Sequence, residues 1–394
     1  MRKLLAFMLL LALLLTACGG SGKKVTIVPQ DTQNGTVNTT SPTTEPPVTT
    51  QPPETEPATA AAASGYTTSG YGGFVAMGED ALFFGEDGLY HFTGGEARLL
   101  YACTPQNGCL SSNGETVLLI NGSGMVTAVD VASGEARELF AAGAYDCVVG
   151  ARDGEILLGH QEDENDWWGV EVIGYDWSGN ELENLGDGWN AYMEDGFLRL
   201  ESYRSDVSPT RVTIYGPDQT CLMESRLCWN VYYRDGAYSF VCLNTDEMTY
   251  GESVDMVLCR LTVDGLTVIC PLGTTSGDTY AYVNSGYVWS GYYDQDAGEM
   301  RYSYYDLDGI PIEEGSALYN VLRDNYIEGQ DSDGNLYYVW DSQLYVQDNG
   351  GSFTWRASLD GAYHSIYGIV DGCVFYSYYD DGAPSVIQYQ PLAD

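Results

Sequence analysis

The residues best able to do chemistry in this sequence are carboxylates and aromatic rings grouped in four polar stretches. Gln161 to Trp168 reads QEDENDWW, which sets Asp163 and Asp166 beside Trp167 and Trp168. Tyr203 opens a second stretch, Tyr203-Arg204-Ser205-Asp206. Asp246, Glu247 and Tyr250 fall in a third, Asn244 to Ser253, and Asp294 and Asp296 in a fourth, Asp294 to Glu299. Exposed indole and phenol rings stack on sugars and on cationic groups. Clustered carboxylate oxygens attract cations and suit Ca²⁺. The set therefore predicts binding at an acidic, aromatic rim. Its partner is a protein, a glycan or a cell-wall component; Ca²⁺ is a candidate metal, and no other cofactor is expected.

Signals of catalysis are missing. No H-E-x-x-H, G-x-S-x-G or G-x-x-x-x-G-K-S/T occurs, and the three His, His91, His160 and His364, lie far apart in sequence. Residues 66–394 hold 12 Arg, no Lys and 52 Asp and Glu. Without Lys there is no Schiff-base or P-loop chemistry. Such an acidic surface repels nucleic acid and anionic headgroups. Carboxylates are so plentiful that no pair stands out. An extracellular polysaccharide hydrolase or lyase with acid–base carboxylates in a central channel is the alternative to a binding module, and a scaffold within an envelope assembly is the third reading.

These stretches need a frame, and two series of turns describe one. Asn113-Gly114, Asp153-Gly154, Asp195-Gly196, Asp235-Gly236, Ser285-Gly286, Asp333-Gly334 and Asp371-Gly372 form the first. Gly94-Gly95, Ser133-Gly134, Ser178-Gly179, Pro217-Asp218, Asp264-Gly265, Asp308-Gly309 and Asn349-Gly350 form the second. Gly, Asn and Asp tolerate the positive φ of tight hairpins. Both series step at the spacing of propeller blades. Thr279 to Glu314 shows the unit best, four aromatic or β-branched runs divided by turns.

Units start near Phe74, Cys109, Tyr145, Asn190, Asn230, Thr279, Asn320 and Ser365. The expected fold is all-β, a β-propeller of eight four-stranded blades, with seven as the alternative if the short first two units are misread. A β-sandwich or two barrels would not give so many repeats. The last unit ends after three strands, so Tyr66 to Tyr71 is expected to supply its fourth and close the ring. The polar stretches fall between strands two and three of units three to six, all on one face. Loops on a rigid scaffold are where binding residues gather.

The Tyr-Tyr pairs at 232–233, 292–293, 304–305, 337–338 and 378–379 read as packing, because alternate strand residues serve opposite faces. Nine Cys follow Cys18, an odd number. Cys259 and Cys270 would oppose each other if Asp264-Gly265 were a two-residue turn, which makes them the expected disulfide; Cys103–Cys109 and Cys221–Cys228 are weaker pairings. Asp348-Asn349-Gly350-Gly351-Ser352-Phe353 resembles the Asp box, a structural turn of sialidase-like propellers, although Val346 replaces the usual Ser or Thr. The motif supports topology and implies no sialidase activity.

The N-terminus sets the location. Met1-Arg2-Lys3, the apolar Leu4 to Leu15 and Leu15-Thr16-Ala17-Cys18 resemble a bacterial lipoprotein signal with its lipobox. That resemblance implies cleavage before Cys18, lipidation of Cys18 with palmitate-type acyl chains, and a membrane partner through the anchor. Residues 1–17 are then the signal peptide, 18–65 a disordered Thr/Pro-rich linker and 66–394 the propeller domain. The linker lacks large apolar residues and is biased to extended polyproline conformations. At roughly 3 Å per residue it could lift the domain by up to about 120 Å. Signal, stalk and Tyr-rich repeats together resemble the propeller lipoproteins of Gram-positive bacteria, whose domains have no known function. The resemblance implies the extracellular face of the cell membrane and carries over no catalytic residue.

Overall fold

The structure is a computed structural model that describes residues 66–70, 72–161, 170–188, 190–204, 207–245, 253–275, 279–294, 296–348, 351–380, 383–384 and 386–393. The signal peptide, Cys18 and the linker lie outside the described residues. The described chain is all-β, with one helix. No described helix is long and apolar enough to cross a membrane.

The strands form consecutive antiparallel sheets, each paired in sequence order. The first comprises Phe74–Met77, Asp80–Gly85, Gly88–Thr93 and Glu96–Ala102. The second runs from Pro105–Ser112 to Ala136–Ala141, and the third from Cys147–Arg152 to Glu181–Gly188. The fourth has seven strands, from Asn190–Glu194 to Gly265–Thr275. Its long strand Cys221–Arg234 pairs backward through residues 221–228 and forward through residues 228–234, and Asn230 at φ 40° marks the change. The fifth sheet spans Thr279–Asn284, Tyr287–Asp294 and Glu299–Asp306; the sixth runs from Gly329–Gln330 to Phe353–Ser358; the seventh begins at Ala362–Val370.

Burial grades across each unit. Inner strands read as continuous apolar runs because both faces are covered, as at Ala81–Phe84 and Ile156–Leu158. Outer strands such as Glu96–Ala102 and Ala136–Ala141 are mostly exposed and charged, which discourages edge-to-edge association. The turns explain the regular spacing. At Asp153-Gly154, Asp195-Gly196, Asp235-Gly236, Ser285-Gly286 and Asp371-Gly372 both residues have positive φ, the type I′ geometry that matches strand twist.

Each sheet packs on the next, and the packing is circular. Val75, Leu82 and Leu89 of the first sheet share a core with Leu110, Val117 and Val129 of the second. The seventh sheet returns to the first: Phe375 lies 5.1 Å from Phe74 and 5.0 Å from Phe92, and Tyr389 5.1 Å from Phe92, between ring centroids. One junction differs. Among the described residues no apolar cluster joins the fifth and sixth sheets, which meet through Asn284 and Ser285 donating to the carbonyl of Ile327, each at 3.3 Å.

Three expectations are corrected. Tyr66 to Tyr71 does not complete the last sheet. Thr68–Ser69 pairs instead with Ser111–Ser112 of the second sheet. Thr67 Oγ1 accepts from the amide of Ala151 in the third sheet (2.7 Å), and Ser69 Oγ from the amide of Met193 in the fourth (2.7 Å). The segment therefore threads between the inner strands of three sheets. Small hydroxylated residues fit there because the space is tight: a Cβ on Gly150 would lie 2.4 Å from Met193 Cγ. In the last sheet two short strands, Ala383–Pro384 and Gln388–Pro391, share Cys373–Asp380 as their neighbour. The seventh sheet meets the first through packed side chains, most of them aromatic.

The unit Thr279 to Glu314 forms three strands, not four. Its last run makes only an isolated bridge, Tyr305 to Pro311, since Pro offers no ladder donor. Helix α1, Ala317–Asp324, follows, capped by Ser316 accepting from the amide of Tyr319 at 3.1 Å. The next sheet consequently starts at Gly329 rather than near Asn320.

Candidate functional site

Most of the expected rim cannot be placed. Asp163, Asp166, Trp167, Trp168, Asp246, Glu247 and Tyr250 lie outside the described residues. The backbone of Tyr203 lies next to the end of the strand Phe197–Arg204, whose last residue pairs with Val207. Asp294 is engaged within its own turn. Its carboxylate accepts from the amides of Asp296 (3.1 Å) and Ala297 (3.0 Å), and Arg301 Nε stands 3.5 Å away. The Ala297 amide is the main reason its pKa is lowered. Asp296 is exposed beside it. The described part of the rim is thus two hairpin ends.

A different place collects polar side chains in a concave setting. A cavity of 440 Å³ is lined by the first half of the fourth sheet and its shared strand Cys221–Arg234, by residues 283–285 of the fifth sheet and by Glu328 and Gly329 at the start of the sixth. Glu201 and Thr210 line it from the fourth sheet, Asn284 and Ser285 from the turn after the fifth sheet's first strand, and Glu328 from the residue before the sixth. Arg199 forms its inner wall and is buried. Its Nε and Nη2 donate to Glu194 at 3.1 and 3.2 Å, its Nη1 donates to Glu201, and its guanidinium lies 4.2 Å from the ring centre of Tyr192. Burial opposes the guanidinium's charge, but Glu194 and then Glu201 outweigh it and hold its pKa above the usual value. Two carboxylates on one guanidinium leave a net negative charge on this wall.

Glu328 is in a different state. Burial pushes its carboxyl up to about 7. Its amide donates to the carbonyl of Tyr337 at 3.0 Å, and the preceding carbonyl, of Ile327, holds the Asn284 and Ser285 side chains. Tyr232, also in the lining, donates through its hydroxyl to Gln330 Oε1 at 3.2 Å. The cavity therefore offers a titrating carboxyl, a fixed carboxylate at Glu201, amide and hydroxyl groups, and little apolar wall. Such a lining can hydrogen-bond a polyhydroxylated ligand and can receive a cation as Glu328 ionises. Sequence reading passed over Glu328 because Tyr326-Ile327-Glu328-Gly329 has no motif; its burial arises from neighbours in three sheets.

The three His stay apart. His91 Nε2 is 3.7 Å from Asp80, His160 Nδ1 is 2.6 Å from the buried Asp146, and His364 Nε2 contacts the carbonyl of Asp360 at 2.9 Å. Among the described residues no three His, Cys, Asp or Glu side chains converge in a way that could hold a metal ion.

The expected Cys259–Cys270 bridge is also corrected. The turn is Val263-Asp264, because Thr262 pairs with Gly265, and a bulge follows at Leu258/Cys259. Cys259 then faces Val268 and Cys270 faces Leu258, so the two thiols do not oppose each other. Cys228 lies across from Cys242 rather than beside Cys221, and Cys109 meets Cys147 rather than Cys103.

No family model matches the chain, and no curated protein matches it. Among solved structures it is similar to β-propeller domains. The propeller domain of the Trilobed protease from Pyrococcus furiosus is 13% identical over 83% of this chain and 98% of that one, with a TM-score of 0.40. An oligogalacturonate lyase from Vibrio parahaemolyticus is 11% identical over 82% and 90%, at 0.41. The WD40 propeller domain of Doa1 is 11% identical over 70% and 89%, at 0.31. Likeness this distant says nothing about activity.

Proposed function

We propose that the chain is an exported, lipid-anchored β-propeller of eight blades that binds a glycan of the cell surface in the cavity between Arg199 and Glu328. The observation that carries the reading is Glu328, a carboxyl held near neutral pKa in a polar cavity lined by the fourth, fifth and sixth sheets. Eight blades follow if the seven-stranded sheet counts as two units that share Cys221–Arg234. Export and anchoring follow from Met1-Arg2-Lys3, the apolar run and Cys18. Hydroxyl and amide groups in the lining favour a sugar over an apolar ligand.

A glycan array probed with the full chain at pH 6 and pH 8 tests this, with Glu328→Gln beside it. The reading expects saturable retention of a glycan set by the wild type and at least tenfold weaker retention by the variant. Equal retention would move the site elsewhere.

A second reading rests on the same cavity. A carboxyl near neutral pKa and an ionised carboxylate are the pair a glycoside-cleaving enzyme uses. Product released from the retained glycan, and lost in Glu328→Gln, would select the enzyme; retention without turnover selects the binder.

A further inference from the structure

Two half-buried cysteines of different sheets are held together by their surroundings. Cys109 lies in the irregular part of Pro105–Ser112, the inner strand of the second sheet, and Cys147 opens Cys147–Arg152, the inner strand of the third. The Cys109 thiol is hydrogen-bonded to Cys147. The backbones around them are clamped. Gln106 Nε2 donates to the carbonyls of Gly143 (2.8 Å) and Ala144 (2.9 Å), and Asn107 Nδ2 donates to that of Asp146. Asn107 Oδ1 in turn accepts from the amide of Cys109 at 3.1 Å. These bonds fix the 106–109 segment against residues 143–147 whether or not the thiols react.

We propose that Cys109 and Cys147 form a disulfide that staples the second sheet to the third. The clamped backbones hold the thiols side by side, and the bond closes a loop long enough for a substantial entropic gain. The reaction balances with an oxidant of the disulfide-donor class, a thiol–disulfide oxidoreductase or oxidised glutathione. One Cys thiolate attacks the donor's S–S bond and forms a mixed disulfide. The second thiolate displaces the donor's remaining thiol. Cys109 and Cys147 together lose two protons and two electrons, and the donor leaves as two thiols. In the cell this rests on the export reading, since only an oxidising compartment keeps such a bond.

The absence of Lys after residue 24 simplifies the test. Cleavage after Arg places Cys109 in the peptide Leu99–Arg137 and Cys147 in Glu138–Arg152. Full-length protein is recovered from membranes with free thiols blocked, and a second sample is reduced and then equilibrated with oxidised and reduced glutathione. The expected result is one linked peptide pair in both samples, with fragment ions placing the bond on Cys109 rather than Cys103, and a melting midpoint lowered by about 5 °C on reduction. Cys109→Ser and Cys147→Ser should each produce that lowering, and the double variant no more than either. Separate peptides after glutathione equilibration, Leu99–Arg137 with two blocked thiols and Glu138–Arg152 with one, would overturn the proposal, as would a bond placed on Cys103. A link that forms in glutathione but is missing from protein taken from membranes supports the pair and rejects the export reading instead.

Discussion

Carboxylates gather in two kinds of place in this molecule, and the two are used differently. In the outer turns, Asp176 accepts from the amides of Ser178 and Asn180 at 2.8 and 2.9 Å, Asp306 from Asp308 and Ile310 at 3.0 and 2.8 Å, and Asp331 from Asp333 and Asn335 at 3.0 and 2.8 Å. These oxygens are spent on the backbone. Asp176, like Asp130 and Asp218, has its pKa lowered, for Asp176 chiefly by the Asn180 side chain and for the other two chiefly by backbone amides. In the cavity, Glu194 and Glu201 are clamped on Arg199, while burial lifts Glu328 toward neutrality. Density of acidic residues therefore does not mark a site here. A carboxyl lifted by burial where it lines a polar cavity, as Glu328 is, does.

Breaking the clamp should have the largest effect. Arg199→Ala leaves Glu194 and Glu201 facing each other unpaired, and the loss expected is about 3–5 kcal/mol at pH 7, read from urea unfolding of the full chain. A loss under 1 kcal/mol would mean that solvent already reaches these groups.

Glu328→Gln should stabilise the protein above neutral pH. A raised carboxyl pKa means the folded state binds more protons than the unfolded state between about 4.3 and 7, so wild-type stability falls as pH rises through that window. The variant escapes the fall. It should match the wild type near pH 4 and exceed it by about 3 kcal/mol at pH 8.

Thr67→Val removes the acceptor for the Ala151 amide and the Ser111 hydroxyl, and a loss of about 1–3 kcal/mol is expected from unfolding. Asp176→Ala has the smallest effect, confined to pH. The contribution of a depressed carboxyl is present above the unfolded value and vanishes as pH falls through the folded one. The variant's melting midpoint should fall below wild type at pH 6 and converge with it below about pH 3. A gap that persists at pH 2 would show that the turn needs the residue for another reason. For the N-terminus, Cys18→Ser should shift the protein from the membrane to the soluble fraction.

The sheet order was legible because the turns are local. Asp-Gly and Ser-Gly at five positions adopt the left-handed pairs that their residue types favour, and the strands between follow. Longer-range features were not legible. Thr67, Thr68 and Ser69 read as a closing strand of the last unit, whereas three converging inner strands of other sheets give their hydroxyls partners. Pro311 ended a strand that apolar pattern alone predicted. A bulge at Leu258/Cys259 broke a pairing that arithmetic over the hairpin favoured. At the site, the sequence drew attention to acidic loops, whereas Glu328, flanked by Ile327 and Gly329, gains its properties from three separate sheets.

The most direct test of this contrast is the ionisation of Glu328 itself. Carboxyl carbons of ¹³C-Glu-labelled wild type and Glu328→Gln, followed from pH 4 to pH 9, identify the one resonance missing from the variant. Its midpoint is predicted at about 7. A midpoint near the ordinary glutamate value of about 4.3 would place Glu328 in solvent, beside the turn carboxylates, and remove the cavity's claim to be the site.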